Sequence, residues 1–293
     1  MPGLQGRRKF WWLTFFLAPS LLGLALFTLL PILASAGLTL FDWDLLTPPQ
    51  FVGAANFVAL SSDQNFRQAF LHTLQYIVGY IPTVIVLALL VALALKQTSR
   101  WNVLLRICFF LPVVSAWVAV ALIWKWLLNP RFGLFNYLLG LVGIAGPDWL
   151  FDPQWAMPAI ILTSVWKDIG FVMVMFLAGL QAIPPEYYEA AGLDGATGWQ
   201  RLRYITLPLL SPTTFFVVII LLINSFQVFD QVWIMTEGGP AGATTVLVEQ
   251  IVKNAFAYSR MGYAAALSWV LFALVFVVTL VQNRLQRNWV TYE

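Results

Sequence analysis

The chain has 293 residues, of which 60% are hydrophobic and only 10% charged, with a mean hydropathy of +0.81. A soluble domain carries about a quarter of its residues as charges, so this chain cannot cover a water-facing surface, and membrane lipid must cover it instead. The formal net charge of +3 is no nucleic-acid signal, because the basic residues stand in small groups at the ends of apolar runs.

A helix needs about 20 mainly apolar residues to cross a bilayer. In chain order the sequence predicts six spans, near residues 13–40, 70–95, 103–128, 157–181, 209–233 and 263–284. The first follows Arg7, Arg8 and Lys9 and contains Ala34-Ser35-Ala36, features shared with a cleavable signal peptide. Its length exceeds a signal h-region of 7–15 residues, and five further runs follow, so it is read as a span. Pro19, Pro31, Pro82, Pro112, Pro158 and Pro212 fall in these runs. Bundles tolerate such prolines because neighbours re-satisfy the freed carbonyls. The expected plan is one membrane domain over 13–284, with an N-terminal segment 1–12 and a tail 285–293, and no internal repeat.

With the N-terminus inside, the inner segments hold ten Lys and Arg (Arg7, Arg8, Lys9, Lys96, Arg100, Arg106, Arg201, Arg203, Arg284, Arg287). The outer segments hold five: Arg67, Lys125, Arg131, Lys253 and Arg260. The positive-inside bias therefore predicts both termini in the cytoplasm. The outer connections, about 41–69, 129–156 and 234–262, are long enough for short interfacial helices. Trp43, Trp124, Trp126, Trp149 and Trp155 are placed where an aromatic belt is expected.

The connection between the fourth and fifth spans is the most informative segment. Pro185 suits a first helical turn, and Glu186 and Glu189 follow at the positive end of that helix. Gly195 can take the positive φ that ends it. Thr197 with Gln200 three residues later forms a capping-box pattern that starts a second helix. Glu189-Ala190-Ala191, Gly195, Ile205 and Leu207-Pro208 resemble, at every fixed position, the EAA motif of ABC importer permeases.

The resemblance extends over nearly the whole chain, toward the carbohydrate-uptake type of maltose, lactose and glycerol-3-phosphate importers. It includes Phe51-Val52-Gly53 with Asn56-Phe57, Ser164-Val165-Trp166-Lys167, Phe226 to Asp230, Met235 to Pro240, and Gly262-Tyr263-Ala264-Ala265-Ala266. It implies an all-α polytopic fold with six transmembrane helices and a cytoplasmic coupling helix, the type I ABC importer permease fold. It also implies that the 185–208 loop docks on an ATPase. Glu189, with Glu186 nearby, then makes the polar contact, Ala190 and Ala191 allow close approach, Gly195 gives the bend, and Ile205, Leu207 and Pro208 complete the motif. The implied partners are a second related permease, two ATP-binding-cassette subunits and an extracytoplasmic binding protein, in a bacterial or archaeal inner membrane. No cofactor belongs to this chain, which has no G-x-x-x-x-G-K-[ST], and ATP and Mg sit on the ATPase.

Polar groups at mid-membrane usually face a cavity or a partner. Trp166, Lys167, Asn224, Gln227 and Asp230 are the substrate-path candidates, the last three spaced by three on one helical face. The competing reading pairs them with each other or with backbone across helices. No catalytic constellation is visible. Cys108 is the single cysteine and His72 the single histidine, which argues against a zinc site. His72 is expected to be a satisfied residue at the outer end of the second span. The reading is a transport subunit working by alternating access. The alternatives are an ATP-independent secondary transporter, in which the loop motif has no role, and a membrane enzyme, which would need clustered acids or histidines.

Overall fold

The computed structural model describes the backbone of residues 7–289 and the side chains of 11–286. The side chains of Arg7, Arg8, Lys9 and Arg287, and the outer parts of the expected terminal segments, lie outside the described residues. The elements, in order, are α1 (Arg7–Leu24), a π-helical turn (Ala25–Leu29), α2 (Leu30–Leu38), β1 (Phe41–Asp42), β2 (Gln50–Phe51), α3 (Ala55–Ser62), α4 (Gln64–Leu95), α5 (Arg100–Val114), α6 (Trp117–Leu127), α7 (Leu134–Leu141), α8 (Pro153–Ala182), α9 (Pro185–Leu193), α10 (Gly198–Arg201), a second π turn (Leu202–Thr206), α11 (Leu207–Leu209), α12 (Ser211–Phe226), α13 (Asp230–Met235), α14 (Leu247–Val252), a third π turn (Lys253–Ala257) and α15 (Met261–Trp289).

Among the described residues four helices are long and apolar enough to cross a membrane, and six spans result if two bent pairs each count as one. The third and fifth expected spans are the bent ones. The third divides into α5 and α6, 101° apart. Pro112 removes one backbone donor near its end, and Ser115 and Ala116 are extended. The fifth bends by 62° at its start, between Gly198–Leu209 and Ser211–Phe226, and at its other end α12 stops at Phe226 and Gln227–Phe229 are unwound before α13.

The chain divides into two compact units. One comprises the residues up to Asp63 together with Ile251–Val270. Its first span buries none of its apolar window; Phe15, Phe16 and Phe27 project outward, as lipid contact requires. β1 and β2 pair antiparallel, Phe41 opposite Phe51. The Asn56 amide donates to the Thr39 and Phe41 carbonyls at 2.9 and 3.0 Å. Gly262 lies against the Phe41 carbonyl, the Met261 N–H donates to the Trp43 carbonyl at 2.9 Å, and the Tyr263 hydroxyl donates to Asp63. Two of the family-like segments, Phe51 to Phe57 and Gly262 to Ala264, thus meet here.

The other unit comprises Gln64–Gln250 and the chain from Leu271 onward. Its centre is α8, with 56% of the apolar window buried against 28% for α4. The buried face of α4 repeats at helical spacing through Tyr76, Tyr80, Val84, Ala88 and Ala92. Small residues allow close approach between membrane helices, and at Gly79 a β-carbon would meet the Ile161 side chain at 2.7 Å. Thr163, Ser164 and Ser225 return their hydroxyls to carbonyls four residues back, so they add no unsatisfied donor to the core. Trp124, expected in the interfacial belt, is 5% exposed and packs on Phe135 and Trp166 at 5.5 Å each. His72 donates its Nδ1–H to the Thr245 carbonyl at 3.2 Å.

Candidate functional site

The break between α5 and α6 leaves the last carbonyls of α5 without intrahelical donors. Lys167, 5% exposed, answers one of them: its Nζ donates to the Val113 carbonyl at 3.1 Å. The same ammonium lies 4.9 Å from the centre of the Trp117 ring, a cation–π distance. A buried lysine is therefore compensated by a carbonyl and an aromatic face.

Beside this arrangement lies a cavity of about 470 Å³, within the size range of small-molecule sites. Tyr76 and Tyr80 line it from α4, Trp117 from α6, Asp168 and Phe171 from α8, and residues 224, 225 and 227–231 from the α12–α13 joint. Tyr76 and Tyr80 stack at 5.2 Å. The Tyr80 hydroxyl donates to Asp168 Oδ2 at 2.7 Å. The buried Gln231 amide donates to the Tyr76 hydroxyl at 3.2 Å, which pins the start of α13 to α4. Discontinuous helices that expose polar groups are a recurring way to build binding sites inside membrane proteins.

Asn224, Gln227 and Asp230 all line the cavity but do not share one face of a single helix. Gln227 has φ −98° and ψ 13°, and Phe229 has φ −148° and ψ −60°, so the joint is irregular between them. Among the described residues their side chains bond to no other group; the pairing alternative describes Lys167 instead, which bonds the Val113 carbonyl across helices. Trp166 and Lys167 are not in the lining: Trp166 is 44% exposed, edge-on to Trp124. Phe229 lines the cavity and stacks on Trp233 at 5.5 Å, whereas Phe226 is buried away from it. Sequence reasoning missed Tyr76, Tyr80, Trp117 and Gln231, and weighed Asp168 only alongside Lys167 as polar residues of the fourth span that could line the path. The available signal was the Tyr76–Tyr80 spacing of four in an otherwise apolar span, which puts two hydroxyls on one helix face.

The 185–208 loop has the local form expected of it. Gly195 has φ 75°, the Ala196 N–H donates to the Ala191 carbonyl at 2.9 Å, and the Gly195 N–H donates to the Gly192 carbonyl at 3.1 Å, a complete Schellman ending. The Thr197 N–H donates to Gln200 Oε1 at 2.7 Å, and the Gln200 N–H donates to Thr197 Oγ1 at 3.3 Å, closing the capping box. Tyr188 and Thr206 share a hydroxyl–hydroxyl bond of 3.0 Å, and Arg201 donates to the Ala196 carbonyl at 3.0 Å, tying the two helices together. Glu186, Glu189 and Ala190 are exposed, as is Gly195. Ala191 and Ile205 are half-buried, Leu207 is exposed and Pro208 half-buried. Leu193 is 92% exposed, an apolar side chain standing on the open face of a short polar helix.

Residues 54–290 match the family described as binding-protein-dependent transport system inner membrane component. A probable ABC transporter permease of Bacillus subtilis, YesP, is 36% identical over 95% of this chain and 91% of its own length. The lactose transport permease LacF of Rhizobium radiobacter is 36% identical over 91% of each chain. Among solved structures, a chain of the bacterial alginate ABC transporter in complex with an alginate pentasaccharide-bound periplasmic protein superposes with a TM-score of 0.85, at 25% identity, over 96% of this chain and 95% of that one. The long helices, the broken spans and the motif loop thus stand in a sequence alike from end to end to known permeases, and the chain belongs to the family of binding-protein-dependent transport system inner membrane components.

Proposed function

We propose that this chain is one of two membrane-spanning subunits of an ATP-driven sugar importer, with the cavity as its share of the path and the 185–208 loop as its contact with a separate ATPase. One observation carries the reading: Asn224, Gln227 and Asp230 line a cavity walled by Tyr, Trp and Phe rings, and their side chains bond to no other described group. Amides and carboxylates exchange hydrogen bonds with sugar hydroxyls, and aromatic faces pack on the C–H faces of sugar rings. Lactose and alginate in the names of similar proteins support a sugar as cargo.

In this reading a soluble binding protein delivers the sugar to the outer connections. A second, related permease supplies the facing wall. Both termini and the motif loop are cytoplasmic, in keeping with the distribution of Lys and Arg. The exposed Glu189 and Leu193 give the loop one charged and one apolar anchor for a cleft on the ATPase. ATP and Mg are held by that partner, whose closure moves the loop and turns the path from inward- to outward-facing. Trp166 and Lys167 serve the packing of the half-path rather than the sugar.

The test is purification of the chain from its native membrane in mild detergent, followed by reconstitution into proteoliposomes with the partners recovered. The expected result is a P-loop ATPase and a second permease carrying its own EAA loop, and sugar uptake that requires internal ATP and the binding protein. Uptake by this chain alone, driven by an ion gradient, would overturn the reading in favour of a secondary transporter.

A further inference from the structure

We propose that the cavity is tuned against anionic sugars, that Asp168 is the residue of this chain that imposes the selection, and that the cargo is an uncharged or amino sugar. The inference rests on the reading of the cavity as the sugar path. Asp168 and Asp230 are the charged residues of the lining, and no Lys, Arg or His is among them.

The nearest basic residue in sequence is Lys167; its charge acts on Asp168 through space, but it is not part of the lining. Its Nζ holds the Val113 carbonyl and lies over the Trp117 ring. Successive helical residues point about 100° apart, so Asp168 faces the cavity while its neighbour caps a broken helix. A phosphate, sulfonate or uronate entering the cavity therefore meets two carboxylates and no cation from this chain. In a partly desolvated site like charges repel far more strongly than in water.

Asp168 is also fixed in place. Tyr80 is 3% exposed, is stacked on Tyr76, and binds Oδ2, while Oδ1 bonds to no other described group. A carboxylate held by one oxygen presents the other as a preorganised acceptor for a sugar hydroxyl or an ammonium. Asp230 is exposed and stands on the irregular joint, so it adds charge with less positional definition.

The experiment reads the potential in the cavity without knowing the sugar. In the complete transporter, with Cys108→Ser in this chain and its partner subunits made cysteine-free, Asn224→Cys places one thiol on the cavity wall. Its rates of reaction with neutral hydroxyethyl, cationic trimethylammonioethyl and anionic sulfonatoethyl methanethiosulfonates are then compared with those of a free thiol. The expected cationic-to-anionic ratio exceeds that of the free thiol by about tenfold or more, and adding Asp168→Asn lowers it several-fold. A ratio equal to that of the free thiol, or one untouched by Asp168→Asn, overturns the proposal and leaves the path reading standing. A thiol unreactive even to the neutral reagent, in every state of the transport cycle, overturns the path reading itself. A transported sugar identified as a uronate, sulfonate or phosphate ester also overturns the proposal.

Discussion

Gly170 on α8 lies so close to Phe109 on α5 that a β-carbon there would overlap the Phe109 carbonyl oxygen and stand 2.9 Å from the Phe110 Cα. The two helices approach through backbone, where no side-chain rotation can relieve a clash. Gly170→Ala is therefore expected to lower stability by about 1–3 kcal/mol, the usual cost of overpacking. Thermal unfolding of the detergent-solubilised protein would read it. The matched control is Gly140→Ala on α7, where nothing lies within 4 Å, and there the change is expected to be neutral or slightly stabilising.

Lys167 caps the Val113 carbonyl from the middle of α8. Lys167→Met removes the donor and leaves a buried carbonyl unpaired, a loss of about 1–3 kcal/mol. The melting temperature should fall while the transport KM of the surviving protein stays near that of the parent. A large rise in KM at unchanged stability would instead place Lys167 on the sugar path.

Asn224 and Gln227 have the opposite profile. Their side chains carry no intrachain bond among the described residues, so alanine at either position should leave the melting temperature unchanged. On the proposed path, each change raises the uptake KM several-fold. Uptake kinetics in proteoliposomes measure this directly, and wild-type KM for both variants would remove them from the path.

At the loop, Gly195 has φ 75°, and proline locks φ near −65°. Gly195→Pro therefore destroys the Schellman ending, and Glu189→Ala removes an exposed carboxylate. Both should reduce ATP-driven uptake by at least about tenfold through weakened coupling, with the chain still inserted in the membrane at normal abundance. Normal uptake by both variants would sink the coupling role.

Asp44, in the turn between β1 and β2, accepts from the Leu46 and Thr47 N–H groups at 2.9 and 2.7 Å and from the Thr47 hydroxyl at 2.8 Å. These bonds, the Thr47 N–H foremost, hold its carboxyl below the usual carboxylate range. A depressed pKa stabilises the turn above the ordinary carboxylate value of about 3.9. The contribution is lost as pH falls through the lowered value. Trp43 donates its indole N–H to the Thr47 carbonyl at 2.9 Å, so its fluorescence reports the turn. The acid transition in that signal should vanish in Asp44→Asn, and a transition of equal size in the variant would assign it to another group.

The sequence by itself determined the membrane class, the places of the long spans and the local form of the 185–208 loop. Each of these rests on short-range physics: the length of an apolar run against bilayer thickness, the φ demanded at Gly195, and the reciprocal bonds of Thr197 and Gln200. It also singled out Asn224, Gln227 and Asp230, because amides and acids in apolar runs stand out wherever they point. The tertiary structure alone decided which of the candidates meet. Lys167 and Asp168 are adjacent in sequence and indistinguishable as polar residues in a span, yet one caps α5 and the other lines the cavity. That division depends on where α5 ends and on which hydroxyl of α4, 88 residues away, reaches the carboxylate. That Trp124 is buried against Phe135 and Trp166 is likewise tertiary, and the α12–α13 joint unwinds where neither proline nor glycine stands. Helical periodicity assumes an unbroken helix, and it fails across these breaks, one just after Pro112 and one where Gln231 bonds to Tyr76 of α4.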